Sequence, residues 1–148
     1  MSFEEITPQE AHDRLEDSAS KWAYIDVRSE PEFEGGHPAG AVNIPIFHLD
    51  PMTQQMSPNP DFVRVVEAHF AKDSSLVLGC QKGGRSARAA QMLVDAGYAN
   101  VVNMLGGYGG VRDDRGTTIQ AGWEESGLPI EEEASPGTTY RELKSKAD

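Results

Sequence analysis

A short apolar run that ends at a cysteine and a glycine loop constrains the fold of this chain most strongly. Residues 75–79 read SLVLG, and Cys80 follows them directly. An apolar run of this length, bounded by turn residues, is typical of a strand buried in a parallel sheet. Two glycines follow, and then a helical pattern over residues 86–96 that Gly97 ends. Strand, tight loop and helix in this order form a unit of α/β folds.

The same alternation of strand and helix patterns runs through most of the chain. Aromatic and β-branched residues or short apolar runs predict further strands at residues 3–6, 22–27, 41–44 and 101–104. Capping residues and apolar spacing predict helices that begin at Thr7 and Asp61 and a helical turn at residues 30–35. This order predicts an open parallel sheet with helices on both faces. Cys80 would then lie at the carboxyl end of a strand, where such folds place their sites.

The remaining segments have weaker patterns. Residues 47–60 contain three prolines and no clear period, so we predict a loop there. A turn signal at residues 113–116 predicts a small hairpin. Residues 123–127 are predicted to form a short helix that ends at a glycine. Residues 131–148 are polar and nearly aperiodic, so we expect a partly mobile tail or one that lies along the surface.

Composition excludes several classes of function. A length of 148 residues fits one domain, and a net charge of -11 disfavours nucleic acid and anionic membranes as partners, since both are polyanions. No apolar run is long enough to span a membrane, and residues 1–5 lack the features of a secretory signal, so we expect a cytoplasmic protein. With one cysteine, and with His12, His48 and His69 at no ligand spacing, we predict no metal and no other cofactor.

Positive charge is concentrated directly after the cysteine. Lys82, Arg85 and Arg88 lie within residues 80–88, which contain no acidic residue. A tight glycine loop before a helix also directs backbone N–H groups inward, at the positive end of the helix dipole. These surroundings stabilise a thiolate and an anionic ligand beside it. The alternative, that Cys80 merely ends a buried strand, leaves the glycines and the cations unexplained.

Four segments together resemble the rhodanese homology domain. They are residues 24–28 (YIDVR), 37–45 (HPAGAVNIP), 80–85 (CQKGGR) and 105–107 (LGG), with Trp123 further on. They occur in the family's order and span roughly residues 3–130. The resemblance implies a rhodanese-like domain over residues 1–130, with a polar tail at 131–148. It also implies a five-stranded parallel sheet flanked by helices, and a catalytic cysteine at Cys80 in a loop that wraps around its sulfur.

The length of this loop separates two activities within the superfamily. The residues between Cys80 and Arg85 number four, as in the family's sulfurtransferases, whereas related dual-specificity phosphatases have one more. The resemblance therefore implies a sulfurtransferase in which a Cys80 persulfide carries sulfane sulfur from thiosulfate or a similar donor to cyanide or a thiol. Its partners would be small molecules, with a protein thiol as another acceptor. Two alternatives stay open: a non-catalytic sulfur-carrier or sensing module, and a cysteine-dependent phosphatase or arsenate reductase.

The predicted site divides into a catalytic residue, a loop and supporting residues. The anion-binding loop comprises Gln81, Lys82, Gly83, Gly84, Arg85 and Ser86, and the supporting residues are Asp26, Arg28, His37 and Arg88. Asp26 and Arg28 share one face of a strand, and we expect Asp26 to bond to neighbouring loops. For Arg28 we expect a carboxylate partner among Glu30, Glu32 and Glu34. His37 is interpreted as a residue that fixes a turn rather than as a general base.

The region after residue 105 departs from the family pattern. In the family, paired glycines pass close to the active loop and a tryptophan follows after a few residues, whereas Trp123 arrives later here. Residues 108–122 are therefore interpreted as an insertion, and we consider that it could overhang the site and shape the choice of acceptor.

Overall fold

The computed structural model describes residues 3–148, which form an α/β fold. In chain order the strands are β1 (Glu4–Ile6), β2 (Ala23–Asp26), β3 (His37–Pro38), β4 (Val42–Asn43), β5 (Phe47–Leu49), β6 (Met56–Pro58), β7 (Ser75–Gly79), β8 (Asn100–Met104), β9 (Val111–Arg112), β10 (Thr118–Gln120) and β11 (Ile130–Glu131). The helices are α1 (Pro8–Glu16), α2 (Glu30–Glu34), α3 (Phe62–His69), α4 (Gly84–Asp95) and α5 (Tyr140–Ala147).

A five-stranded parallel sheet forms the centre of the fold, as the sequence predicts. Its strand order is β1-β8-β7-β2-β4, and every neighbouring pair is parallel. Strand β7 is the middle strand, so Cys80 emerges at the carboxyl end of the sheet between the ends of β2 and β8.

Side chains of β7 alternate between two hydrophobic cores, which explains why helices cover both faces. Leu76 and Leu78 belong to the core that α3, α4 and α5 cover. Val77 points the other way and packs with Ala11 of α1 and Phe33 of α2. This two-sided burial makes the strand apolar throughout rather than alternating.

Two helix starts show how local sequence sets the elements. Thr7 caps α1 as predicted: its side chain accepts the N–H of Glu10, and the Glu10 carboxylate accepts the N–H of Thr7. Helix α4 begins at Gly84, two residues before the predicted start at Ser86. Its N-cap is Gly83, whose φ of 114° is in the left-handed region. The loop therefore passes directly into the helix.

Two predictions of irregular or helical structure are wrong. Residues 47–60 are not a plain loop, because β5 and β6 pair as an antiparallel hairpin in which Pro58 stands opposite Phe47. Residues 123–127 form turns rather than a helix. The N–H of Trp123 donates to the carbonyl of Gly107 at 2.8 Å, which joins these turns to the glycine segment at residues 105–107. The hairpin predicted around residues 113–119 is confirmed as β9 and β10.

The C-terminal region is more regular than its composition predicts. Strand β11 pairs with β3, and α5 packs against α3 with Tyr140 and Leu143 buried. Thr139 caps α5 by accepting the N–H of Glu142. Residues 140–147 therefore fit the alternative of a tail that lies along the surface, and they form a helix that the polar composition did not predict. No helix within residues 3–148 is long and apolar enough to cross a membrane.

Candidate active site

The sulfur of Cys80 lies in a cradle formed by its own loop. The side chain is 2% exposed and follows the last residue of β7. The N–H of Gly83 donates to Sγ at 3.0 Å, and the Ser86 hydroxyl lies 3.3 Å from Sγ. Beyond them, α4 begins, and the N–H groups of its first turn have no acceptor within the helix. These groups and the helix dipole favour negative charge on the sulfur or beside it.

A second glycine segment holds this loop from outside. Tyr108 donates its N–H to the carbonyl of Cys80 at 2.7 Å, and Gly109 donates to the carbonyl of Gln81 at 2.9 Å. Gly107 has a φ of +60°, and a Cβ placed on it would lie 2.4 Å from the Cys80 carbonyl oxygen. Only glycine permits this approach. The resemblance implied such a passage, and the structure confirms it.

A pocket of about 280 Å³ opens above the loop. It is lined by Cys80, Gln81, Lys82, Gly84 and Arg85. Within the part of the chain that the structure describes, β9 and β10 contribute no residue to this lining. The pocket therefore brings together the predicted nucleophile and the predicted anion-binding side chains.

Arg85 does not point freely into this pocket. Its guanidinium forms a bidentate ion pair with Glu32, with Nη1–Oε1 and Nη2–Oε2 distances of 2.8 and 2.9 Å. Burial by itself raises the pKa of Glu32, but hydrogen bonds from Arg85 and Ser29 outweigh it and lower the pKa from 4.5 to about 2. The pKa of Glu32 is lower in the folded than in the unfolded state. The pair therefore makes its full contribution to the free energy of unfolding above about pH 4.5, and this contribution is lost as the pH falls towards 2.

Arg28 also has a partner other than the expected ones. Its Nη2 lies 2.8 Å from Oδ2 of Asp26, and both side chains are buried, at 3% and 1% exposure. The prediction of Glu30, Glu32 or Glu34 as partner is wrong: β2 ends at Asp26, so Arg28 lies beyond the strand, and its guanidinium turns back to the Asp26 carboxylate. There its Nη2 also donates to the carbonyl of Gly36 at 2.7 Å.

Arg28 links this buried pair to the cysteine loop. Its Nη1 donates to the side chain of Gln81 at 3.2 Å, and its guanidinium lies 4.5 Å above the ring of Tyr108. Asp26 bonds mainly to Arg28, while its carbonyl accepts the side-chain amide of Asn43. The pair therefore ties the end of β2 to both segments that hold the sulfur cradle.

Comparison with known proteins now decides the family. The sequence model of one protein family, the rhodanese-like domain, matches residues 7–114. The chain belongs to the rhodanese-like family. Thiosulfate sulfurtransferase 16 of Arabidopsis thaliana, a chloroplastic protein, is 37% identical to it over 119 residues, which cover 80% of this chain and 85% of the plant protein. Thiosulfate sulfurtransferase GlpE of Haemophilus influenzae strain 86-028NP is 37% identical over 141 residues, which cover 95% of this chain and 100% of GlpE.

A solved structure supports the same assignment. The crystal structure of Rv0390 from M. tuberculosis superposes with a TM-score of 0.73 at 25% identity, covering 89% of this chain and 99% of that one. The rhodanese-like fold predicted from the sequence is therefore shown.

Two supporting residues of this rhodanese-like protein lie away from the sulfur. His37 is fully buried and stacks on Phe33, with ring centroids 3.7 Å apart, and its Nδ1 lies 2.7 Å from the Phe33 carbonyl. These contacts fit the interpretation of a residue that fixes a turn. Arg88 lies over the ring of Phe47 and lines a separate cavity with Met92. It is not part of the Cys80 pocket.

Asn103 is a site residue that the sequence reasoning missed. Its Oδ1 accepts the Ser86 hydroxyl at 2.6 Å, and its Nδ2 donates to Glu5 and to the carbonyl of Gly83. The residue is buried near the end of β8, the strand beside β7. Its position at the carboxyl end of a predicted strand was the available signal, since sites of α/β folds lie there. Among residues 3–148, no group of three or more His, Cys, Asp or Glu side chains could hold a metal ion.

Proposed function

We propose that this rhodanese-like protein is a sulfurtransferase and that Cys80 carries the sulfur as a persulfide. The observation that supports this most is the cradle itself. The Gly83 N–H donates to Sγ at 3.0 Å, and the same loop leads into the first turn of α4 and lines a pocket together with Cys80. A site of this kind stabilises a sulfur anion and gives a small molecule access to it.

In the first half-reaction, the Cys80 thiolate attacks the outer sulfur of thiosulfate. A sulfur–sulfur bond forms between Sγ and that atom, the sulfur–sulfur bond of thiosulfate breaks, and sulfite leaves with the electron pair. No proton transfer is required once the thiolate exists. The N–H groups at the start of α4 then face the anionic outer sulfur of the persulfide.

In the second half-reaction, a thiophilic acceptor attacks the outer sulfur. Cyanide forms thiocyanate, and a thiolate forms a new persulfide; in both cases the bond to Sγ breaks and Cys80 leaves as the thiolate. This is double displacement through a covalent intermediate. Lys82, which lines the pocket and is exposed, attracts the anionic donor without transferring a proton.

Sulfur as the cargo is supported by two further observations. The loop from Cys80 to Arg85 has the shorter length, and the two curated relatives described above are named thiosulfate sulfurtransferases. We further propose that the sulfur donors and acceptors are small molecules and that the protein is located in the cytoplasm. A protein thiol is a further acceptor of the same chemistry.

Steady-state turnover tests this proposal against its alternatives. Purified protein is mixed with thiosulfate and cyanide, and thiocyanate is measured over time, with an aryl phosphate assayed in parallel. We expect many equivalents of thiocyanate for each protein molecule and no phosphate release. One equivalent of bound sulfur without turnover would instead indicate a carrier or sensing module. Hydrolysis of the aryl phosphate without sulfur transfer would indicate a phosphatase.

A further inference from the structure

The pocket above Cys80 is less positively charged than the cations of the loop sequence indicate. Two cationic side chains, Lys82 and Arg85, line it. Arg85 gives its guanidinium edge to Glu32 in a bidentate pair, and its side chain is 22% exposed. Lys82 is exposed, and no ion pair of its ammonium group is found in residues 3–148. Lys82 is therefore the side chain that supplies net positive charge at the mouth.

Glu32 is held in this position by more than Arg85. Its Oε1 accepts the N–H of Ser29 at 3.1 Å and the Ser29 hydroxyl at 2.9 Å, which forms the capping box of α2. The Glu32 side chain is 29% exposed, and its pKa of about 2 keeps the carboxylate ionised at all ordinary working pH values. Glu32 does not itself line the pocket, but its negative charge is held against Arg85, which does.

A fixed carboxylate at this place discriminates between donors by their charge. The attacking group is itself an anion, so every negative charge on the donor is opposed by Cys80 and by Glu32 and favoured by Arg85 and Lys82. Paired charges of opposite sign nearly cancel at a distance, whereas a single cation does not. A donor with two negative charges is therefore attracted to this pocket less strongly than the cations in the loop sequence predict.

We propose that Glu32 is a specificity-determining residue that shifts the donor preference from dianions towards sulfane-sulfur donors of single negative charge, such as an organic thiosulfonate. This inference rests on the proposed function. With a thiosulfonate, the Cys80 thiolate attacks the outer sulfur, the bond between Sγ and that sulfur forms, the sulfur–sulfur bond of the donor breaks, and a sulfinate leaves with the electron pair. Thiosulfate reacts in the same way but arrives with two negative charges.

Donor kinetics of a charge-neutral variant test this inference. In Glu32→Gln the capping box is kept, because glutamine is as suitable as glutamate at this position. We measure kcat/KM for thiosulfate and for benzenethiosulfonate, with cyanide as acceptor, at low and high salt. Freeing one positive charge should raise kcat/KM about tenfold for thiosulfate and about threefold for the thiosulfonate at low salt. Both increases should shrink at high salt.

Two further variants test whether the position of the charge and the cation of Lys82 determine the effect. Glu34→Gln removes the same charge from an exposed position of the same helix, and it should change neither donor's kcat/KM by more than about twofold. Lys82→Gln alters an exposed side chain and should lower kcat/KM more for thiosulfate than for the thiosulfonate. The inference is overturned if Glu32→Gln leaves both donors unchanged or raises both by the same factor. A wild-type protein that transfers sulfur from neither donor would instead refute the sulfurtransferase activity.

Discussion

Replacement of Cys80 by serine is expected to abolish sulfur transfer from thiosulfate to cyanide, down to the rate of the reaction without protein. Serine is nearly isosteric and retains a polar atom towards the N–H of Gly83, which contacts Sγ at 3.0 Å. Its hydroxyl, however, does not ionise near neutral pH and forms no persulfide, so the covalent intermediate is lost. Thiocyanate production by purified Cys80→Ser protein, compared with the wild type, measures the effect.

A folding measurement separates loss of chemistry from loss of structure. The free energy of unfolding of Cys80→Ser, from urea titration, should fall by no more than about 3 kcal/mol, which is the usual cost of burying a hydroxyl, so the variant stays folded. Retention of the wild-type rate by this variant would contradict the assignment of Cys80 as nucleophile. Since the chain contains one cysteine, no second thiol can replace it.

Arg28→Met is expected to lower the free energy of unfolding by about 3–5 kcal/mol. Methionine has a similar length but no charge, so the carboxylate of Asp26, 1% exposed, would remain buried without its partner. The same change removes the hydrogen bonds to the Gly36 carbonyl and the Gln81 side chain. Urea or guanidinium titration measures the loss, and a reduced transfer rate should accompany it, because Gln81 belongs to the cysteine loop.

A matched double variant shows whether the buried charge is the cause. The double variant Asp26→Asn with Arg28→Met leaves no unpaired buried charge. In the wild type the backbone N–H of Arg28 donates to Asp26 Oδ1 at 3.0 Å, and the side-chain oxygen of the new asparagine can still accept this hydrogen bond. The double variant should therefore be more stable than Arg28→Met alone. If Arg28→Met cost less than about 1 kcal/mol, the pair would not have the structural role that its burial indicates.

Patterns that depend on neighbouring residues predicted most of the framework. The buried central strand follows from the apolar residues before Cys80, because a strand covered on both faces needs no polar alternation. The start of α1 follows from the capping box of Thr7 and Glu10, whose hydrogen bonds join residues three apart. The placement of Cys80 follows from topology, since all five strands of the sheet point the same way.

The choice of ionic partners could not be predicted in the same way. Glu32 and Arg85 are 53 positions apart, and they meet only because α2 and the cysteine loop lie at the same end of the sheet. Arg28 had several nearby carboxylates, and in the fold it bonds instead to the Asp26 carboxylate and the carbonyl of Gly36. Asn103 was missed for a related reason, since its contacts with Ser86 depend on the side-by-side packing of two strands and a helix.

The sequence patterns also failed to predict two regular elements, helix α5 and the hairpin of β5 and β6. Helix α5 contains few apolar residues, and its stability comes from burying Tyr140 and Leu143 against the rest of the fold. Tertiary packing of this kind overrides a weak local pattern. The hairpin at residues 47–58 likewise arises from pairing between segments that each lack a strand-like period.

The intact mass of the protein after treatment with thiosulfate tests the central claim most directly. Reduced wild-type protein is incubated with thiosulfate, freed of small molecules and weighed by mass spectrometry, with Cys80→Ser treated in parallel. We predict that the wild type gains the mass of one sulfur atom, that cyanide removes it with release of thiocyanate, and that Cys80→Ser gains nothing. An unchanged wild-type mass, or an equal gain in Cys80→Ser, would contradict a persulfide at Cys80.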